Sequence, residues 1–525
     1  MKKMSSVEVN MKSNSTTSIT QESSSPEKIT REKLNSLVDK AADIIRTATD
    51  YKFILVLLFL KRISDVWKEE FEEKKKELMQ YLDEKSAEKE AENEVYHTFN
   101  LKRELLWDEI TKDIKKLPEN LSNALIRIAE LNPELKGVID KFSFLGFTTQ
   151  EHRVKLMQLV ELFNQYNFGN KYVSSDIIGD AYEHILYRFA PTQAKEGEVY
   201  TPREVIQLLV EILDPKPGES VYDPACGSGG MLIVSYKYVR DKYGKEKKLL
   251  LYGQEYNPDI YGLCKLNLIA HGITDAFIEF GDSLLYPRFT EGGKLKQFDV
   301  VIANVPWNQH GYGEEILKKA DFKERFFDYP PNNTADWAWI QHMLASAKEN
   351  GRVGLIIDNG CLFRGGKEKV IRSKIVEKDL IEAVILLPEK LFYNTNAPGV
   401  IIIFNKNKPQ ERKNKILFIN ASKEYIPHPS IKRLNSLSKE NIEKIVKAYR
   451  EFSNIPGFSR VVDKSEIVKN DYNLNVTLYV MPVEEVEKID ISKEFLELKE
   501  LEKEREEIEK KLEQYISEII EAMNN

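Results

Sequence analysis

The chain has little of several features that would place a protein quickly. Its 525 residues include three cysteines, Cys226, Cys264 and Cys361. They show no C-x-x-C spacing, which excludes a zinc-finger pattern and a disulfide framework and suits a reducing compartment, the cytoplasm. Long apolar runs are missing too. The most hydrophobic stretch, FILVLLFL at 53–60, ends in Lys61-Arg62. It is too short to span a bilayer and reads as a buried helix segment. The Ser/Thr-rich start of the chain has no apolar core, so residues 1–28 read as a disordered tail and not as a signal peptide. No internal repeat is visible.

A basic excess is also lacking. The net charge is −7, from 77 Lys and Arg against 84 Asp and Glu. From Glu484 onward there are 15 acidic and 7 basic residues, which leaves 70 basic and 69 acidic for the rest of the chain. A body at +1 with an acidic tail is not built to grip nucleic acid unaided, since phosphate contacts need a surplus of Lys and Arg. If nucleic acid is the substrate, a partner must supply much of the grip.

What is present falls into three textures. Residues 29–165 carry apolar positions at helical spacing, with neither glycine nor proline between Leu34 and Leu82. The Lys/Glu run at 68–77 reads as a solvated helix face. From about residue 200, apolar β-branched runs alternate with helical patterns: 220–225, 248–255, 276–282, 298–306, 352–358, 380–388 and 399–406. That alternation predicts an α/β fold with a doubly wound, mostly parallel sheet. The last two runs are joined by a loop with Asn394, Asn396, Pro398 and Gly399 and no helix, which predicts an antiparallel pair at one edge. From about 481 to 525 a single helix pattern carries Leu498, Leu501, Ile508, Leu512, Tyr515, Ile519 and Ala522 at steps of three and four, broken by Arg505. That seam fits either the body of the chain or a partner helix.

The chemistry starts at VYDPACGSGGML, 221–232. The loop is not a P-loop, because Met231 follows Gly229-Gly230 where Lys-Ser/Thr would stand. It is an incomplete dinucleotide fingerprint, because Leu232 stands at the third glycine position after Gly227 and Gly229. What remains is a strand ending in Asp223, then a glycine turn (Gly227, Ser228, Gly229, Gly230) against which an uncharged part of a ligand can lie. Asp223 could pair with an ammonium group. A tight turn without a ligand stays open for this loop alone. Glu255 closes the next strand and could take both hydroxyls of a ribose, and Asp282 closes the one after and could accept from an adenine amino group. Acids at strand ends in this order surround the ligand crevice of a doubly wound sheet.

The fourth strand ends ANVPWN, 303–308. Asn304 Oδ1 and the Val305 carbonyl, held in place by Pro306, can accept two hydrogen bonds from one amino group, and an exposed Trp307 can stack on the base that bears it. Such a pocket fits an enzyme that flips a base out and works on its amino nitrogen. A cis-proline turn is the structural alternative for the tetrapeptide.

Together these blocks resemble the methylation (M) subunits of type I DNA restriction-modification systems, a family of S-adenosylmethionine-dependent N6-adenine DNA methyltransferases. AADIIRTATDYKFILVLLFLKRISD is similar to the family's helical N-terminal domain, and GEVYTPREVIQLLVEILDPKPGESVYDPACGSGGML to its cofactor region. ADWAWIQHML, NGCLFRGGKEKVIR and LPEKLFYNTNAPGVIIIF are similar to later segments. The resemblance implies an S-adenosylmethionine methyltransferase domain over 166–480, after a helical domain over 29–165 and before an assembly helix over 481–525. It places cofactor contacts on Glu198, Val199, Tyr200, Thr201, Pro202 and Arg203, on Ser228, Gly229 and Gly230, and on Glu255, with Asp223 and Asp282 at further positions of the pattern. It implies double-stranded DNA as substrate, two methylation subunits around one specificity subunit, and a motor-nuclease subunit for cleavage. No metal is implied. The chain departs from the family in having Glu198 for a usual glutamine, and Asn-Val-Pro-Trp for Asn-Pro-Pro-Phe or Asn-Pro-Pro-Tyr. N4-cytosine methylation, commonly with serine in place of Asn304, and a catalytically silent scaffold are the rival readings.

Overall fold

The structure, a computed structural model, describes residues 28–45, 51–147, 149–193, 201–393, 395–429, 431–481 and 491–524. The N-terminal tail up to residue 27 and three expected cofactor residues, Glu198, Val199 and Tyr200, lie outside the described residues.

The helical region is organised by α1 (Arg31–Ile45) and α2 (Tyr51–Leu78). Ile54 through Leu60 are all buried, as a helix segment apolar on every side must be. The Lys/Glu run that follows is exposed or half-buried apart from Phe71, so its charges are solvated. A further helix, α3 (Ser175–Gln193), contributes Ile178, Ala181, Tyr182 and Ile185 to the same apolar core. That core also takes in Leu263, Leu266 and Ala270 from a helix of the sheet region, so the two regions share one seam.

The nine-stranded sheet comprises β1 (Ser220–Asp223), β2 (Leu250–Glu255), β3 (Phe277–Phe280), β4 (Phe298–Asn304), β5 (Ala347–Asp358), β6 (Ile381–Leu386), β7 (Gly399–Asn405), β8 (Lys415–Asn420) and β9 (Ser459–Asp463). Their spatial order is β9-β8-β6-β7-β5-β4-β1-β2-β3. From β3 to β5 every neighbouring pair is parallel. β7 runs antiparallel to both β5 and β6. The antiparallel pair read from the sequence therefore forms, with β7 inside the sheet instead of at its rim. Beyond it the sheet continues through β8, parallel to β6, and ends in an antiparallel edge, β9. Strands β6 and β7 are buried along nearly their whole length, as expected where helices cover both faces.

The chain leaves β1 toward β2 and β3, then returns to lay β4 on the other side of β1. The reversal opens a crevice at the C-terminal ends of β1 and β4, the switch point at which open α/β sheets bind ligands. Asp223 and Asn304 end these two strands.

Candidate active site

The glycine turn is shaped by its own backbone. Gly227 and Gly229 have φ of 53° and 85°, left-handed values that a side chain would strain. A Cβ on Gly229 would also stand 3.1 Å from Cys264 Sγ. The turn feeds α5 (Gly230–Tyr243), just after α4 (Arg203–Leu213) has packed alongside it. Asp223 Oδ1 accepts from the Ala225 N–H at 3.0 Å, and Glu255 Oε2 accepts from the Gly227 N–H at 2.9 Å. Glu255 Oε1 takes the Asn257 N–H at 2.7 Å. Asn267, on α6 (Pro258–Ala270), donates from Nδ2 to the Ser228 carbonyl at 2.9 Å. The two acids thus pin the loop before any ligand arrives.

Burial sets their charge. Asp223 is 1 % exposed, and burial, opposed by its bond from Ala225 and aided by repulsion from Glu255, pushes it up to about 8. Burial also raises Glu255, against the pull of its backbone donors. Asp223 lines the crevice together with Arg203, while Glu255 holds the turn from behind, so a cationic occupant would favour the ionised form of Asp223.

Asn304 is held from both sides. Its Nδ2 donates to Thr201 Oγ1 at 2.9 Å, and its Oδ1 accepts from Trp307 Nε1 at 3.0 Å. An indole N–H can only donate, so the amide orientation is fixed with oxygen toward Trp307. Trp307 corrects one expectation. It is 7 % exposed, not an open stacking platform, and lies edge-on against Phe392 with ring centroids 4.8 Å apart. β7 begins alongside: a Cβ on Gly399 would stand 3.0 Å from the Trp307 ring. The cis-proline alternative is not realised, because the described peptide bonds are all trans. Val305, its side chain fully buried, sits one residue past the last paired residue of β4.

Asn308 (φ 52°) donates its N–H to Asp336 Oδ1 at 3.0 Å. Arg364 ties Asp336 to Asp358 and Glu368. Burial raises the Asp336 carboxyl to about 6, with the Arg364 guanidinium opposing the rise. Two of the three later segments singled out in the sequence, those holding Asp336 and Arg364, therefore brace the Asn-Val-Pro-Trp turn from behind.

One cavity brings Thr201, Arg203, Asp223, Gly227, Ser228, Gly230 and Asn304 together, lined also by Glu183 and Asn267. Glu255 stands behind the turn through its Gly227 bond. Pro202 caps α4, and Gly229 caps α5. Asp282 is outside the cavity lining. Its Oδ1 accepts from the Leu284 and Leu285 N–H groups at 2.8 and 3.0 Å, and its Oδ2 from the Tyr312 hydroxyl at 2.7 Å. Asn304, Asp223, Glu255 and Asp282 thus end or directly follow four adjacent strands. Glu183 and Asn267 were missed by sequence reasoning because each sits inside an ordinary helical pattern.

A sheet with this order, holding a glycine turn and an amide-ended strand across one switch point, defines the fold of the S-adenosylmethionine-dependent methyltransferases. Comparison with known proteins narrows the class. The family model for N-6 DNA Methylase matches residues 173–488, and that for the HsdM N-terminal domain matches residues 34–163. The type I restriction enzyme MjaVII methylase subunit of Methanocaldococcus jannaschii is 47% identical over 517 residues, covering 95% of this chain and 86% of that protein. The MjaVIII methylase subunit of the same organism is 48% identical over 489 residues, covering 90% and 82%. A type I restriction-modification methyltransferase subunit from Streptococcus thermophilus matches in structure with a TM-score of 0.74 at 28% identity, covering 86% of this chain and 100% of that one. The chain belongs to the N-6 DNA methylase family, among the methylase subunits of type I restriction enzymes, and its enzyme class is adenine-specific DNA methyltransferase. No described helix is long and apolar enough to cross a membrane.

Proposed function

We propose that this chain transfers a methyl group from S-adenosylmethionine to N6 of an adenine flipped out of duplex DNA, with Asn304 and Val305 receiving the target amino group. The observation that carries the reading is the single cavity in which Asn304 meets the glycine turn. Its residues suit the cofactor, because the Asp223 carboxyl lines the cavity and Glu255 holds the glycine turn from behind. Along the strand ends, Asp223 faces the charged end, Glu255 the ribose and Asp282 the adenine.

When bound, the cofactor supplies an electrophilic methyl carbon on a sulfonium leaving group. The rest is positioning. An adenine amino lone pair is delocalised into the ring and is a poor nucleophile. Asn304 Oδ1 retains one lone pair beyond the one that Trp307 occupies, and the Val305 carbonyl offers another. Holding both amino protons favours a pyramidal nitrogen whose lone pair points away from them. Thr201 keeps the amide from turning its NH2 group toward the base. Stacking on Trp307 requires the indole to leave its place against Phe392.

A body at +1 leaves sequence reading and much of the DNA grip to a specificity subunit, clamped by two copies of this chain and joined by a motor-nuclease subunit for cleavage. The helix α7 (Ile491–Asn524) exposes Leu498, Leu501, Ile508, Leu512 and Tyr515, a seam suited to that partner. The test is tritiated methyl transfer by the co-purified complex, followed by base analysis. Label in N6-methyladenine is the expected result; label in N4-methylcytosine, or cofactor binding without transfer, would overturn it. A chain truncated before Glu484 should bind cofactor yet fail to co-elute with the specificity subunit on size exclusion.

A further inference from the structure

Two acceptors in this cavity have no hydrogen-bond partner among the described residues. Asn267 is 1 % exposed, and its amide orientation is fixed because Nδ2 donates to the Ser228 carbonyl, which can only accept. Its Oδ1 is left buried without a donor. Glu183, reaching in from α3, is 9 % exposed, and its Oε2 also makes no hydrogen bond, although Arg203 Nη1 lies 3.2 Å away. Buried polar atoms are rarely left this way, and such atoms in a cavity commonly await a ligand.

The two are close neighbours. Asn267 and His271 are four residues apart, so they stack on one face of α6 and its end, where the His271 N–H caps the Asn267 carbonyl at 3.1 Å. His271 Nε2 in turn lies 3.4 Å from Glu183 Oε1. The helices meet so closely here that a Cβ on Gly179 would overlap the His271 ring. Burial raises the Glu183 carboxyl, but the neighbouring His271 imidazole and the Arg203 charge outweigh it, so Glu183 lies below the usual carboxylate range and is ionised.

Both atoms are acceptors without a hydrogen bond, one of them a carboxylate oxygen ion-paired with Arg203, and Asp223 lines the same cavity. An occupant that donates hydrogen bonds and carries positive charge is the one these oxygens favour. Arg203 beside them can hold an anion. A cation next to an anion is the α-amino-acid end of a zwitterion. We propose that Glu183 and Asn267 form the subsite for the α-ammonium group of the cofactor's amino-acid moiety, an inference that rests on the S-adenosylmethionine reading above. It makes α3, whose apolar face is packed in the helical region, part of the cofactor site.

The test is calorimetric titration of the full chain with S-adenosylhomocysteine, its desamino analogue and 5′-methylthioadenosine, which lacks the amino-acid end. The wild type should bind S-adenosylhomocysteine at least about tenfold more tightly than the desamino analogue, as a charge-assisted hydrogen bond requires. Glu183→Gln should remove most of that difference while leaving 5′-methylthioadenosine affinity unchanged. Equal wild-type affinity for the first two ligands, or an equal loss for all three in the variant, would overturn the assignment. Should Glu183→Gln fail to fold by circular dichroism, Glu183→Asp, with the charge one methylene short, takes its place and should shrink the same difference. A wild type that binds none of the three ligands, nor S-adenosylmethionine, would sink the cofactor reading itself, a result distinct from loss of ammonium discrimination alone.

Discussion

The two halves of the active site are built differently. The glycine turn of the cofactor half is held mainly locally: within the stretch 220–257, Asp223 and Glu255 hold backbone N–H groups of the turn they border, with Asn267 the one brace from further along the chain. The base half is assembled from afar. Asn304 rests on Thr201, Asn308 on Asp336, and Trp307 against Phe392 and Gly399. The first half stands open and waits for charge. The second is closed on itself, with the aromatic buried and one lone pair of the Asn304 amide oxygen in use. A small, locally bonded turn can be preformed without a ligand; an aromatic ring left open to water would expose apolar area, and Trp307 is buried instead.

The sharpest way to break the comparison is Asn304→Ala. It should lower methyl transfer by about 10²–10³-fold or more, as loss of a positioned polar group does, while cofactor affinity stays within a few-fold. A large fall in calorimetric cofactor affinity would show that the halves are not separable. Glu255→Ala is the converse. It removes the partner of Gly227 and Asn257 and should weaken cofactor binding by about 10- to 100-fold. Unchanged binding would move the ribose away from this strand end.

Acidity probes the open half. Asp223, at about 8, lies above the ~3.9 of an unfolded aspartate. Its protonated form is favoured by the fold, so its contribution to stability is full below about pH 4 and is lost as pH rises through 8. A cationic ligand prefers the ionised form. Cofactor affinity should therefore climb by up to about tenfold per pH unit below 8 and then level off. In Asp223→Asn that rise should be absent; a variant with the wild-type slope would assign the titration to another group. The smallest effect is expected from Trp307→Phe, which keeps a ring but deletes the bond to Asn304 Oδ1. We expect a stability loss of about 0.5–1.5 kcal/mol in urea unfolding and unchanged cofactor affinity. No loss would mean that the closed arrangement of the base half is not held by that bond.

How much of this was legible follows the same division. Asp223, the glycines and Glu255 could be read because a tight turn at a strand end needs those residue types in that order. The buried segment at 53–60 was legible because it is apolar on every helical face. Strands β8 and β9 were not among the runs read from the sequence, and β7 was placed at the rim because a hairpin loop says which strands pair and not what adds beyond them. Val199, Tyr200 and Glu198 lie outside the described residues and stay with the resemblance alone.

The sequence by itself determined the strand-and-helix alternation, the acid-ended glycine turn and the Asn-Val-Pro-Trp toolkit, because period, turn chemistry and hydrogen-bonding capacity are properties of neighbouring residues. Only the tertiary structure decided that Trp307 is buried against Phe392, that one lone pair of Asn304 is taken, and that Glu183 and Asn267 line one cavity with oxygens that accept no hydrogen bond among the described residues. Which groups an atom finds within 3 Å depends on elements tens to hundreds of residues away, brought there by burial of apolar surface that is non-directional and leaves no local mark.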